Sequence, residues 1–511
     1  MSVILARKLP DFVSYTLSVL MGFLFGAVIL LGLPLKWIIA VILAIGFTVF
    51  LLIVRDAERV SLFALILIIP FHIGVGLPDL LTHLGHIGMS NLGVQLIDIL
   101  VLSLLMCRLA RLATHQTEIR LYPSTTVPAL AWLVASALSA VNAREVDLTV
   151  IQVGQMVKLL LLYIVVANVI RDETDIKWLV WALSLGVLFQ GLLGLYQEIS
   201  GGSLGLSFLG EPRRLYYGRP LGTIGHPNGY GAYLSATMPL ALAMLFMEGR
   251  TLRKVLVGVV LCVGALGLLF SLSRGGWLSF AVAFIMVLVF AIRRGRQNLH
   301  IAYVGAGSIL LVLLSLTLSQ RDLVTARLTS EQSQESALSR ITMAKDATAM
   351  IQDYPLLGVG ANNYSLLMPE YDPFDFASQR RIVIVHDIYL LIAAETGLVG
   401  LAAFLWFLAS LFAQARRLIS RAPNDTVWLA GVGAFSAFAA LAIHGIADYD
   451  VLANLTVFRL LWLFAAIVAG LSANLRRERV AGDYSKLCEN DTGRRFHRDL
   501  SQVGSRGSWY D

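Results

Sequence analysis

Long apolar runs separated by short polar connections make up most of this chain. Each run has about the 20 residues that an α-helix needs to cross the hydrocarbon core of a bilayer. The pattern predicts an all-α fold, a polytopic transmembrane helix bundle of about 14 spans, some of them short or tilted. The predicted spans are residues 12–33, 37–54, 60–75, 94–112, 127–141, 151–170, 176–197, 229–247, 255–272, 275–292, 301–318, 388–413, 426–446 and 452–472.

Two polar segments interrupt this pattern. Residues 319–385 form a long loop in which apolar side chains recur at helical spacing between 336 and 353, so we predict an amphipathic helix there. Near its end the chain becomes polar and charged, which is typical of a disordered tail. We therefore divide the chain into N-terminal spans at 1–197, core spans at 198–472 that include the loop, and a tail at 473–511.

Lysines and arginines are concentrated in every second connection between the predicted spans. Cytoplasmic connections of membrane proteins carry such an excess, so we predict cytoplasmic termini and a periplasmic loop at 319–385. A soluble domain rarely reaches 57% hydrophobic residues with 14% charged ones. The net charge of +7 is spread over these short clusters, which favours orientation in the bilayer over nucleic-acid binding. No cysteine falls in a segment predicted to lie outside, so no disulfide framework is expected.

Among the basic residues on the predicted outer side against this rule, Arg219 and Arg274 are each flanked by glycine. Arg219 is in a glycine-rich loop, Gly218–Gly231, that leads directly into a span, and Arg274 is in the tight turn Ser271–Gly276. An arginine on the wrong side costs insertion energy, which favours a functional reason. A glycine-rich loop at a helix N-terminus beside an arginine is typical of an anion site. The alternatives are a solvated loop arginine at 219 and, at 274, a side chain that reaches outer-leaflet phosphates.

Two ionisable residues lie inside predicted spans. Lys158 shares one helix face with Gln152 and Gln155, and Asp98 lies nearer the outer end of its span. Ionisable groups at such depth usually face a cavity or a partner. Lys158 can instead extend towards the membrane surface, and the sequence leaves both possibilities open.

His386 lies where the long polar loop meets the next span. An imidazole at that boundary can exchange protons near neutral pH from a fixed helix end, although a histidine that only caps the helix is the simpler interpretation. His444, Asp448 and Asp450 end a later span on the same side, where they support His386 or, more simply, solvate the helix end. Metal-ligand spacing, a Walker loop and a dinucleotide fingerprint are all absent from the sequence, so we predict no metal site and no cofactor.

Five short motifs lie between about residues 210 and 450. They are Gly218–Tyr233, Ser271–Gly276, Arg340 with Asp353–Tyr364, His386–Gly400 and, more weakly, His444–Asp448. In this order, and on one side of the predicted membrane, they resemble the O-antigen ligase and O-antigen polymerase family of bacterial membrane proteins.

The resemblance implies a glycosyltransferase that takes a glycan from an undecaprenyl diphosphate carrier and passes it to a saccharide acceptor, either lipid A-core or another carrier-linked glycan. It implies a site that faces the periplasm from the bacterial inner membrane and needs no metal or nucleotide. In the matching motifs, Arg219 and Arg274 take the place of the diphosphate-binding arginines, and His386 that of the catalytic histidine. Residue 387 is Asp, where Asn is common in the family pattern. Candidate supporting residues are Lys158, Tyr389, Asn228, Arg340 and His444.

The implied chemistry suits these residues. A diphosphate leaves readily once its charge is neutralised, and arginine binds phosphate oxygens in a bidentate manner. An acceptor hydroxyl is a weak acid and needs a base within hydrogen-bond reach, which a neutral histidine supplies. Two alternatives stay open. One is a membrane transporter, since some relatives are described as bicarbonate transport proteins, although paired interrupted helices are not evident here. The other is a protein O-oligosaccharyltransferase, which changes the acceptor and keeps the chemistry.

Overall fold

The computed structural model describes residues 45–51, 53, 57–75, 93–114, 118–209, 211–212, 215, 218–247, 250–295, 331–372 and 384–475. The predicted spans at 12–33 and 301–318 lie outside these residues, as do part of the span at 37–54 and the predicted tail from residue 476 onwards.

Helices form nearly all of the secondary structure in the described residues, as the sequence predicts. The helices are α1 Ala57–Ile68, α2 Leu96–Ala113, α3 Pro123–Leu138, α4 Val146–Val169, α5 Glu173–Ser200, α6 Pro227–Met244, α7 Thr251–Phe270, α8 Arg274–Arg293, α9 Glu331–Asp353, α10 Tyr364–Tyr371, α11 Ile388–Ser420, α12 Asp425–Ala447, α13 Asp450–Ala453 and α14 Leu455–Leu475. Short 3₁₀ helices cover Ser139–Asn142 and Ser207–Leu209. One antiparallel pair of short strands, β1 Gly74–Val75 and β2 Val94–Gln95, departs from the all-α prediction, with Gly74 opposite Gln95.

Within the described part of the chain, eight helices are long and apolar enough to cross a membrane. They are Pro123–Asn142, Val146–Val169, Glu173–Ser200, Thr251–Phe270, Arg274–Arg293, Ile388–Ser420, Asp425–Ala447 and Leu455–Leu475. The protein is therefore a polytopic helical membrane protein, while the total of about 14 spans stays a prediction. Helix α9 confirms the amphipathic helix of the long loop and begins five residues before the predicted start at 336.

Polar residues at the helix starts explain several of these boundaries. The Asp172 side chain accepts hydrogen bonds from the N–H groups of Thr174 and Asp175 at 2.8 and 3.1 Å, which satisfies two of the donors at the start of α5. Asn424 caps α12 in the same way through the N–H of Val427 at 3.0 Å. Pro227 opens α6 at the first helical position, where its missing N–H removes no helical hydrogen bond.

Helices α12 and α14 form the centre of the bundle. In their 18-residue apolar stretches, 83% and 89% of the residues are buried, compared with 28% in α8. Helix α6 packs against α7, α8 and α12, and α11 packs against α3 and α12. Helices α6 and α8 approach closely near their first turns, where a Cβ on Gly276 would lie only 3.2 Å from the Cα of Gly231. This packing places the turn before α8 beside the start of α6.

Polar and charged contacts join several helix termini at one end of the bundle. The pairs that show this are Glu58 with Arg171, Glu173 with Asn424, and Arg294 with Asp425. The Glu58 carboxylate also forms ion pairs with Arg108 and Arg111, with nitrogen–oxygen distances of 3.1 and 2.8 Å. Arginines that the sequence assigns to cytoplasmic connections therefore share one end of the bundle. Which face of the membrane that end occupies stays a prediction.

Candidate functional site

The motif residues meet at the opposite end of the bundle. Arg294 follows α8 and Asp425 begins α12, and both belong to the end where the basic residues cluster. Arg274 is the first residue of α8 and Asp448 follows the last residue of α12, so both lie at the other end of the same helices. The loop before α6, with Arg219 and His226, and the pair His386 and Asp387 before α11 complete this group of motif residues.

Arg219 holds the turn that carries Arg274. Its Nε and Nη2 donate to the carbonyl oxygen of Ser271 at 2.8 and 2.6 Å, and Nη2 also lies 3.2 Å from Oδ1 of Asn228. Leu272 in this turn has φ 51°, a left-handed conformation that costs a residue with a Cβ about 1–2 kcal/mol. The two charge-assisted contacts from a buried arginine offset that cost. The structure thus joins the two arginine motifs into one unit.

Two carboxylates that follow α12 reach the start of α6. Asn228 donates through Nδ2 to Oδ2 of Asp448, and Nδ1 of His226 bonds Oδ2 of Asp450. Asp448 and Asp450 are only 2% and 5% exposed, so the expectation that they solvate a helix end is wrong. Burial has the largest single effect and lowers the pKa of His226, but the charge and hydrogen bond of Asp450 together with the charge of Asp448 outweigh it, so the pKa is raised above the ordinary 6.5.

His386 is half-buried in front of α11. Its Nδ1 lies 3.0 Å from the carbonyl oxygen of Ile384. Because a carbonyl can only accept, Nδ1 of the neutral ring carries the proton and Nε2 is the nitrogen that can take one up. Burial lowers the pKa of His386 below 6.5, and the charge of Arg340 lowers it further, whereas that of Asp448 raises it. A neutral imidazole of this tautomer is the form that a general base requires.

The two residues that follow His386 have structural contacts. The Asp387 carboxylate caps α11 by accepting from the N–H groups of Tyr389 and Leu390 at 2.8 and 3.0 Å. Asp and Asn cap helices about equally well, so an Asn at this position would cap α11 as Asp387 does. The hydroxyl of Tyr389 donates to the carbonyl of Ala442 at 2.9 Å and joins α11 to α12.

Arg340 brings a third guanidinium from α9. Burial lowers the pKa of Arg340, the charge of Asp448 raises it, and the charge of Arg274 lowers it, so Arg340 lies near both. Its Nε is buried and has no hydrogen-bond partner among the described residues. The group thus holds three arginines, Arg219, Arg274 and Arg340, and three carboxylates. Of the carboxylates, Asp387 caps α11, while Asp448 and Asp450 bond Asn228 and His226.

Two other candidate residues occupy different positions. His444 is fully buried in α12 and packs against the first turn of α8, since a Cβ on Gly275 would lie 3.5 Å from its Nδ1. It adjoins the group as part of the helix packing. Lys158 lies in a separate cleft, where it pairs with Asp98 at 2.9 Å.

The long loop is fixed beside the site by backbone contacts. The N–H groups of Val359 and Gly360 donate to the carbonyls of Ala394 and Glu395 in α11, both at 2.9 Å. Gly397 interrupts α11 with φ 68°, and a Cβ there would lie 2.1 Å from the carbonyl oxygen of Leu356, so only glycine fits. These contacts hold residues 356–360, which follow α9, against α11, and α9 itself packs against α11.

A comparison with known families gives an independent result. Residues 257–405 match the family model described as O-antigen ligase. This range contains Arg274, Arg340 and His386, and the structure adds Arg219 and Asp448 from outside it. A comparison with curated proteins found no match. Residues 257–405 of this chain are therefore similar to the O-antigen ligase family.

Proposed function

We propose that the protein transfers a glycan from an undecaprenyl diphosphate carrier to a saccharide hydroxyl at the periplasmic face of the bacterial inner membrane, as an O-antigen ligase or polymerase. One observation carries the proposal: the charges of Arg274 and Asp448 both act on Arg340, and Arg340 and Asp448 also lie near the half-buried His386. Cations held close together favour a bound anion, and a neutral imidazole beside them favours proton transfer.

The arginines bind the donor. Arg219 and Arg274 neutralise the diphosphate, and Arg340 supports them from α9. A planar guanidinium suits phosphate oxygens because it donates two parallel hydrogen bonds. Arg219 has a second task, since its contacts with Ser271 keep the Arg274 turn in place. The positive charge stabilises the diphosphate as it leaves, which lowers the barrier for breaking its bond to the sugar.

His386 activates the acceptor. Nε2 takes the proton of the acceptor hydroxyl, and the oxygen forms a bond to the anomeric carbon of the carrier-linked sugar. The bond between that carbon and the diphosphate oxygen breaks, and its electron pair leaves with the carrier diphosphate. The imidazolium that results is stabilised by the charge of Asp448, which already raises the pKa of His386. The proton then passes to solvent, and metal independence stays a prediction.

The decisive experiment measures glycan transfer by purified His386→Ala protein supplied with carrier-linked glycan and acceptor. Loss of a general base lowers the rate by about a hundred- to ten-thousand-fold and leaves carrier binding intact. Lys177→Gln is the matched control, because Lys177 is exposed near the start of α5, at the other end of the bundle. Near-normal turnover in His386→Ala would remove this residue from the mechanism, and lost carrier binding would make it a diphosphate ligand.

The choice of acceptor distinguishes the remaining functions. Transfer to lipid A-core identifies a ligase, chain growth on carrier-linked glycan identifies a polymerase, and transfer to a peptide identifies a protein O-oligosaccharyltransferase. The family match favours a transferase over a transporter. Absence of transfer to all three acceptors by the unmutated protein, together with anion flux in vesicles, would support the transporter.

A further inference from the structure

A second charged cleft lies between α2, α4 and α14, away from the candidate site. The space in this narrow cleft amounts to about 250 Å³ only when the open solvent at its mouth is included, and its polar lining consists of Asp98, Gln155, Lys158 and Arg459 among apolar side chains. None of these residues lies in the range that matches the O-antigen ligase family. The cleft therefore requires an explanation of its own.

The charges in this cleft do not balance. Lys158 forms an ion pair with Asp98 at 2.9 Å and also donates to the carbonyl of Gly93 at 2.7 Å. Arg459 is only 2% exposed, and its Nη1 has no hydrogen-bond partner among the described residues. Asp98 is the carboxylate whose charge acts on Arg459. Two cations thus share one carboxylate that is already paired.

The surroundings supply no second negative charge among the described residues that line the cleft. His72 also lies near Arg459, but an imidazole carries no negative charge and so supplies no counter-ion. A buried guanidinium that shares its counter-ion with a second cation is costly in a protein interior, and ionisable groups inside a membrane protein usually mark a ligand or a partner. We propose that this cleft binds a phosphate-class oxyanion, with Arg459 and Lys158 as its ligands.

Geometry favours a phosphate group. Arginine presents a planar fork that matches oxyanions, and lysine adds a point charge beside it. Asp98 is in the first turn of α2 and Arg459 in the second turn of α14, so the cleft lies near one end of both helices. The side chains of Lys158 and Asp98 keep 23% and 19% of their exposure, so a ligand can reach them. A phospholipid headgroup and free phosphate both supply this chemistry.

The test is thermal unfolding of the full-length protein, purified in a maltoside detergent without phosphate. One arm adds sodium phosphate, with sodium chloride at the same ionic strength as the reference, and the other adds phosphatidic acid to the micelles. A ligand that binds only the folded state raises Tm in a concentration-dependent way. The titrations are repeated in Arg274→Gln protein, because phosphate also suits the candidate site and that variant weakens it.

We expect Tm to rise by a few degrees in at least one arm, in the Arg274→Gln background as well as in the unmutated protein. Addition of Arg459→Gln should abolish this rise and Lys158→Gln should weaken it, whereas Lys177→Gln should leave it unchanged. A response to phosphate identifies the free anion as sufficient, and a response only to phosphatidic acid identifies the headgroup.

Two results would overturn the proposal. One is that Tm rises in neither arm. The other is that Tm rises as much in the Arg459→Gln and Lys158→Gln proteins as in the protein without these substitutions. Arg459→Gln removes a buried charge and can impair folding. In that case Arg459→Lys, which keeps the charge and loses the planar fork, takes its place together with Lys158→Gln. An undiminished phosphate response in both of those variants would also contradict an oxyanion site.

Discussion

At the scale of single residues, the candidate site depends on side chains whose roles are set by their neighbours. The carbonyl of Ile384 selects the tautomer of His386, and burial keeps that ring neutral. The carbonyl of Ser271 occupies two donors of Arg219. His386 is thus in the form that accepts a proton, and Arg219 both supports the Ser271–Gly276 turn and contributes positive charge.

The pH dependence of transfer follows from the pKa of His386. A base must be neutral, and a pKa below 6.5 means that the protonated, inactive form accumulates only in more acidic solution. We therefore expect kcat/KM to stay constant from pH 8 down to about 6.5 and to decline below that value. Kinetics with the carrier-linked glycan over this range would check it. A decline that already begins between pH 8 and 7 would contradict a lowered pKa.

Replacing either arginine by lysine should separate their two roles. Lysine keeps the charge but loses the planar fork, so both Arg219→Lys and Arg274→Lys should lose most transfer activity while the protein is still expressed. Arg274→Lys should chiefly weaken carrier binding. Arg219→Lys should in addition lower the free energy of unfolding by about 1–3 kcal/mol, because it removes a buried charge-assisted hydrogen bond to Ser271.

Carrier-binding and thermal-unfolding measurements on the two lysine variants supply this comparison. Full activity in both variants would defeat the bidentate model. Equal loss of stability in both would show that Arg219 has no special part in holding the turn.

At the scale of helices, close packing determines where the motif residues stand. The turn with Arg274 is positioned because the first turn of α8 lies against α6 at two glycines. Helix α9 is positioned because the segment after it bonds the backbone of α11 at the Gly397 kink. Small residues therefore act at a distance from the chemistry, through the positions of whole helices.

Gly276→Ala should impair transfer through such a displacement. The added Cβ would lie 2.9 Å from Cδ1 of Leu268 and 3.2 Å from the Cα of Gly231, and the Gly231 backbone cannot yield as a flexible side chain does. A shift of about 1 Å in a catalytic group can cost about a hundredfold in rate. Gly258→Ala in α7 is the matched control, since a Cβ there meets nothing within 4 Å. Transfer rates that do not differ between the two variants would contradict this account.

At the scale of the whole molecule, the helices separate two ends of different character. One end has the basic connections with their ion pairs, and the other has the candidate site. This separation agrees with the alternation of basic residues along the sequence. It shows that the basic connections and the candidate site lie at opposite ends of the bundle. The positive-inside rule then predicts that the site faces the periplasm.

Cysteine accessibility tests that orientation. In a background without Cys107, Cys262 and Cys488, we expect Ser336→Cys to react with a membrane-impermeant reagent from outside. Ser485→Cys in the predicted tail should react only after the membrane is opened. Reaction of both positions from the same side would show that the topology is wrong.

Some features of this protein follow from local sequence. Apolar runs of spanning length identify the membrane helices, and the spacing of apolar residues identifies α9, because both depend only on neighbours along the chain. Arg219, Arg274 and His386 stand out because each conflicts with its local setting, as a charge against the orientation rule or a titratable ring at a span boundary. Those conflicts marked the residues as candidates, and the family resemblance assigned their roles.

Only the tertiary structure decided which groups meet. Asp448 and Asp450 look like the solvated end of a helix in the sequence, yet the start of α6 buries them through Asn228 and His226. Arg459 is a single charge in an apolar run, and its position beside Asp98 depends on how α2 and α14 pack. An apolar helix surface can pack against many other helices, so the sequence pattern predicts that the surface is buried but not which helix covers it. The hydrogen-bond partners, the histidine tautomer and the unbalanced charges depend on which helices pack together, and only the folded bundle determines that.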